Sequence, residues 1–245
     1  MKVTICKNAE DLGQKAANEA ASYLNEVIAK NGYARIILST GSSQFETFNS
    51  LIASNIDWSK VEMFHLDEYA GLDESHIASF RKYLKERFIA HVNLKEYTLV
   101  DGNPNSIAFL TEKLREKPID LGMIGIGVNA HVAFNDPPAD FDTKEAYIVV
   151  DLDDTCKNQQ VGEGWFETID DVPKQAISMT VYQIMQCNKI ITCAPHEVKA
   201  QAIKNTLYGE VSNTVPATIL KTHNDWNLFI DENSAGLIDK KDFSL

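Results

Sequence analysis

Positive charge is scarce in this chain of 245 residues. Its 23 lysines and arginines face 35 aspartates and glutamates, leaving a formal net charge of −12. A nucleic-acid surface needs basic stripes, so nucleic acid is not an expected partner. A small anion is not excluded, because helix N-termini and one lysine can make a pocket locally positive inside an acidic exterior. Long apolar runs are missing too. None approaches the roughly 20 residues that cross a bilayer, so no membrane partner is expected. The opening Met1-Lys-Val-Thr-Ile-Cys6 lacks a long apolar signal core. The four cysteines, Cys6, Cys156, Cys187 and Cys193, show no CxxC spacing, which favours reduced thiols over disulfides or zinc. A cytoplasmic protein is the expectation. Internal repeats, low-complexity stretches and Pro/Gly-rich linkers are also absent, so residues 1–245 read as a single domain.

What is present is an alternation of short apolar runs with helical periodicity. Residues 2–7 suggest a strand. A long helix follows with Asn8 as its cap, Leu12, Ala16, Ala20, Leu24, Val27 and Ile28 on one face, and Asn31-Gly32 as its stop. Further strands are expected at 34–38, 61–66, 121–126, 146–151, 189–194 and 227–231. The intervening helices fall near 45–52, 79–90, 105–117, 180–186 and 196–207. Such alternation implies an α/β fold: a mostly parallel, doubly wound, Rossmann-like sheet with helices on both faces. Residues 136–145 and 152–173 are the least regular stretches, where a lid or binding loop would fit.

Four segments at strand ends carry candidate chemistry. Ser39-Thr40-Gly41-Ser42-Ser43 sits between a strand and a helix, where backbone N–H groups and hydroxyls can cradle a phosphate. It lacks the Gly-Lys-Ser/Thr ending of a Walker A loop. In His65-Leu66-Asp67-Glu68-Tyr69, side chains alternate along an extended chain, so one carboxylate can face a pocket while its neighbour serves the structure. His65 reads as a packing residue, and no recognised spacing makes a metal site from His65, Asp67 and His76. The glycine-bracketed turn Gly125-Ile-Gly-Val-Asn-Ala-His131 delivers an imidazole suited to proton transfer near neutral pH. Asp136 is a candidate to hold its tautomer, and Asn129 a neutral hydrogen-bond partner. Finally, Lys199 lies in the first turn of a helix that directly follows a strand, where it can add a full charge to an anion site.

Together these segments resemble the glucosamine-6-phosphate deaminase (isomerase) family, related to the 6-phosphogluconolactonases. The stretches that carry the likeness are Ser39–Ser43, Leu66-Asp-Glu-Tyr-Ala-Gly-Leu72, Gly125 to Pro137 and the Lys199 helix, in family order along most of the chain. Lactonases usually continue past the histidine with Thr-Ala-Ser-Leu-Phe and carry Arg after the Asp-Glu pair. Here Val132-Ala-Phe-Asn-Asp136 and Tyr69 favour the deaminase branch. The resemblance implies that Thr40, Gly41, Ser42, Ser43 and Lys199 hold a sugar 6-phosphate. It also implies that His131 opens the pyranose ring and that Asp67 moves the C2 proton to C1. Fructose 6-phosphate and ammonia would result, with no cofactor and no metal. A homo-oligomer is compatible with the family.

The chain departs from the family pattern near the histidine. Asn129-Ala130-His131 and Asp136 stand where Asp-Gly-His and a Glu are usual. An amide in place of a carboxylate removes a charge that would stabilise imidazolium, so Asn129→Asp is expected to raise turnover or shift its pH profile. Alanine in place of glycine narrows the backbone angles beside the histidine. Cys156 to Val161 lacks an arginine that many members present to substrate, leaving Gln159 and Gln160 as replacements. No counterpart of an allosteric C-terminal region is evident, which suggests an unregulated enzyme or an altered amino-sugar preference. The alternatives are a lactonase-type hydrolase and a non-catalytic sugar-phosphate sensor. The second lacks a helix-turn-helix region to support it.

Overall fold

The computed structural model describes residues 1–162 and 164–243, apart from the side chains at 155 and 159. Strand β1 (Lys2–Cys6) leads into α1 (Ala9–Asn31), whose start is capped by Asn8 accepting from the Asp11 amide at 2.8 Å. Such a cap contributes about 1 kcal/mol. Leu12, Ala16, Ala20, Leu24, Val27 and Ile28 belong to the buried stripe, as the helical period requires. There follow β2 (Ala34–Leu38), α2 (Phe45–Ile52), β3 (Val61–His65), β4 (Asp67–Tyr69), α3 (Phe80–Arg87), β5 (Glu96–Thr98), α4 (Ile107–Arg115) and β6 (Leu121–Ile124). The rest comprises β7 (Tyr147–Asp151), α5 (Asp154–Gly162), β8 (Gln175–Met179), α6 (Val181–Ile184), β9 (Lys189–Ala194), α7 (Ala200–Tyr208) and β10 (Trp226–Asp231).

Seven strands form one sheet in the order β1-β10-β9-β6-β2-β3-β5, every neighbouring pair parallel. Strands β2, β9 and β10 are buried along their whole length, as expected of strands covered on both faces. One apolar layer packs α1, α2 and α3 on the sheet; the other carries Leu110 and Leu114 of α4 and Ile203 and Leu207 of α7. From β2 the chain steps outward through β3 to β5, then returns to the other side of β2 with β6. The switch point therefore lies between β2 and β6, and open α/β sheets bind ligands at the carboxyl ends of such a pair.

A feature beyond the expected single sheet is a second, antiparallel one, in the order β4-β8-β7. The chain leaves β3 at His65, bends at Leu66 and enters this sheet at Asp67, paired with Ser178. Strands β4 and β5 span three residues each, too short to carry a periodic signal of their own. Helix α5 occupies part of the stretch expected to be irregular, because its inward side includes the polar Gln160 beside Cys156 and so shows no apolar stripe. Residues 136–145 have no helix or strand, as expected.

Candidate active site

A cavity of about 330 Å³ opens at the switch point. Ser39 to Ser43 at the end of β2, Asp67, the Gly125–Gly127 turn at the end of β6, His131 and Lys199 all contribute to its wall. Tertiary structure thus gathers around one volume segments that stand far apart in sequence, from Ser39 to Lys199.

The Ser39–Ser43 loop leads into a single 3₁₀ turn (Ser42–Gln44) before α2. Amides at the start of a helical turn have no intrahelical acceptor, so they are available to an anion. Gly41 has φ 108° and ψ 160°. That backbone conformation is open to glycine and strained for other residues. The loop is fixed from outside: the Tyr83 hydroxyl donates to the Gly41 carbonyl at 2.8 Å. The Gln44 amide donates to Ser43 Oγ at 3.1 Å and to the Cys193 carbonyl of β9 at 3.2 Å. Lys199 ends a short 3₁₀ turn (Glu197–Lys199) and directly precedes α7, a later helical start than the sequence suggested.

Asp67 and Glu68 divide their work as strand alternation requires. Glu68 is fully buried and turned away, accepting from Ser79 Oγ at 2.8 Å, from the Arg81 amide at 3.0 Å and from Arg81 Nε at 3.1 Å. Asp67 lines the cavity. Burial, with the nearby Glu68 and Asp136 carboxylates adding to it, pushes its carboxyl up to about 8 against the opposing Phe134 amide. A carboxyl raised that far, in a cavity, suits proton exchange near neutral pH.

His131 lines the same cavity. Its imidazole rests on Gly127, where an added β-carbon would lie 2.3 Å from Nε2. Nδ1 is 2.9 Å from Asp136 Oδ1, at ion-pair distance but without the alignment of a full hydrogen bond. Asn129 buttresses both: its Nδ2 donates to Asp136 Oδ1 at 2.8 Å, and its Oδ1 accepts from the His131 amide at 3.1 Å. Burial alone would raise the Asp136 carboxyl, yet contacts from His131, Asn129 and Cys156 hold it below the usual carboxylate range. Neither Asn129 nor Asp136 belongs to the cavity wall. They contact the His131 side chain and backbone from outside the cavity wall. Ala130 between them takes φ 66°. Glycine would accept this left-handed conformation more cheaply.

Several wall residues escaped sequence reasoning. Trp165 and His196 line the cavity, and His196 has φ 78° with its amide facing both oxygens of buried Asp231 at 3.2 Å. A strained residue beside the lysine helix is invisible to periodicity. Gln160 does reach the wall, its Oε1 accepting from the Tyr69 hydroxyl at 2.8 Å. The Gln159 side chain lies outside the described residues. The other histidines weighed from the sequence are elsewhere. His65 is wholly buried, edge-on to Phe80, and burial drives its pKa down to about 3. His76 stacks on Phe166 with centroids 5.0 Å apart.

With this geometry in hand, comparisons with known proteins place the chain. The family described as glucosamine-6-phosphate isomerases/6-phosphogluconolactonase matches residues 7–229. A glucosamine-6-phosphate deaminase of Lactobacillus delbrueckii subsp. bulgaricus is 33% identical over 242 residues, 97% of this chain and 100% of the relative. One from Thermoanaerobacter pseudethanolicus is 34% identical, spanning 99% of this chain and 97% of its own. Among solved structures, a monomeric glucosamine-6-phosphate deaminase superposes with a TM-score of 0.89 at 28% identity, covering 97% of this chain and 100% of that one. A 6-phosphogluconolactonase from Shewanella baltica gives 0.77 at 18% identity over 94% of this chain and 97% of that one, a likeness of fold. The chain belongs to the glucosamine-6-phosphate isomerase/6-phosphogluconolactonase family.

Proposed function

We propose that this family member is an amino-sugar phosphate isomerase and deaminase, turning glucosamine 6-phosphate or its C4 epimer, with water, into the ketose 6-phosphate and ammonia. The observation that carries the reading is the cavity shared by Asp67, His131, the Thr40–Ser43 loop and Lys199. Identity of 33% and 34% to the deaminases named above, along nearly the whole chain, supports it.

The chemistry follows from the placement. Thr40, Gly41, Ser42, Ser43 and Lys199 hold the phosphate and so fix the sugar's orientation. His131, aligned by Asp136 and Asn129, delivers a proton to the ring oxygen and takes one up from the C1 hydroxyl, so that the pyranose opens to the C1 aldehyde. Asp67 removes the proton at C2 and returns it to C1 through an enolamine. Water then adds at C2 of the resulting ketimine, and the nitrogen leaves as ammonia. The substrate's own ammonium at C2 places a positive charge by Asp67, which favours the ionised base that burial disfavours. A positioned acid or base of this kind contributes about 10²–10⁴-fold. The reaction takes place in the cytoplasm, a reading that rests on the four unpaired thiols.

Ammonia release from glucosamine 6-phosphate and galactosamine 6-phosphate, assayed in parallel, tests the assignment. Turnover of either sugar is expected. Silence on both, with sugar phosphate still bound, would move the protein out of the deaminases.

A further inference from the structure

Ser39 opens the Ser39–Ser43 loop, whose hydroxyls as a group suit a phosphate cradle, and it is the one loop residue that the resemblance does not itself assign to the phosphate. Its backbone amide continues the sheet, donating to the Met123 carbonyl of β6 at 2.9 Å. The residue is 5% exposed and belongs to the cavity wall. Its Oγ is buried without a hydrogen-bond partner among the described residues. The hydroxyl lies near the turn that follows β6, since an added β-carbon on Gly125 would be 3.7 Å from it. The Gln44 amide, which lies 3.4 Å from the same point, is spent on Ser43 and Cys193.

A buried hydroxyl left unpaired is costly, and a cavity-lining residue that keeps one needs a reason. Ser39 lines the cavity together with the rest of its loop and the Gly125–Gly127 turn. We propose that the Ser39 hydroxyl donates to the phosphate of the bound sugar, as a ligand additional to Thr40–Ser43 and Lys199. This inference rests on the sugar-phosphate reading of the cavity. A hydroxyl given to a phosphate oxygen makes a charge-assisted bond, stronger than a neutral one. The ligand thereby removes the cost of the unpaired group.

The role and a merely structural one have opposite signatures in Ser39→Ala. Fructose 6-phosphate and inorganic phosphate are the probes, titrated without ammonia so that no turnover intervenes. Both should bind about tenfold or more weakly to Ser39→Ala, while its unliganded Tm stays level or rises by roughly a few degrees. Unchanged affinity for both probes would overturn the proposal. So would weaker binding accompanied by a lower Tm, because the hydroxyl would then be serving the fold. Ammonia release by the unaltered protein is measured alongside. Its absence, with the Ser39→Ala binding loss still present, would count against the reaction and leave the phosphate ligand in place.

Discussion

The His131 imidazole lies so close to Gly127 that a β-carbon on that glycine would fall 2.3 Å from Nε2, 2.4 Å from Cε1 and 2.5 Å from Cδ2. Glycine at 127 is therefore a condition for the histidine's position, one turn of chain before the histidine itself. The Gly127 amide also donates to the His131 carbonyl at 2.9 Å, closing the turn.

Gly127→Ala should displace the ring from the cavity while the sheet beneath is untouched. Ammonia release should fall at least about a hundredfold, the lower contribution of a positioned proton donor. Circular dichroism should remain native. Near-normal turnover would mean that His131 does not need this position.

Asp67→Asn should reduce turnover about 10²–10⁴-fold with fructose 6-phosphate binding retained. In the unaltered enzyme, kcat/KM should rise with pH as the base ionises through about 8. Stability runs the other way. The carboxyl moves from 3.8 to about 8 on folding, so between those values the folded chain holds a proton the unfolded chain has lost. Its contribution is full below about pH 4 and is lost as pH rises through about 8. Asn at 67 keeps its neutrality throughout, so the Tm of the variant relative to the parent should climb across that window. A constant difference would remove Asp67 as the titrating group.

Asn129→Asp reverses the expectation drawn from sequence. The amide nitrogen donates to Asp136 at 2.8 Å. A carboxylate there would lose the bond and face a like charge. Turnover should fall and stability should drop by about 1–3 kcal/mol at neutral pH, with recovery on acidification as one carboxyl takes up a proton. Higher turnover at neutral pH would restore the view that position 129 lacks a needed charge.

Lys199→Ala should raise KM about tenfold or more, as loss of a charge-assisted contact to phosphate does, with kcat changed much less. A fall in kcat at constant KM would take Lys199 out of ground-state phosphate binding.

The parallel sheet was legible because its buried strands β2 and β10 are apolar runs and α1 carries an unbroken stripe from Leu12 to Ile28. Of the small antiparallel sheet only β7 was legible, as the strand expected at 146–151. Its members β4 and β8 abut chemistry-bearing or irregular stretches, and pairing Asp67 with Ser178 joins residues whose separation in sequence carries no local signal. At the site, Thr40–Ser43, Asp67, His131 and Lys199 were each readable as strand-end residues. Trp165 and His196 were not singled out, because nothing in an indole or an imidazole announces which wall it will line.

Residue types and local order by themselves determined the α/β class, the helix cap at Asn8, and the identity of the groups able to move protons or hold an anion. Those properties are written in strand and helix periods and in side-chain chemistry, which need no distant partner. Only the tertiary structure decided that β2 and β6 would be neighbours and that Glu68 would turn inward while Asp67 faced the cavity. It alone set Asn129 and Asp136 against His131 and outside the cavity wall, because burial and shared charge exist only once separate segments exclude water together.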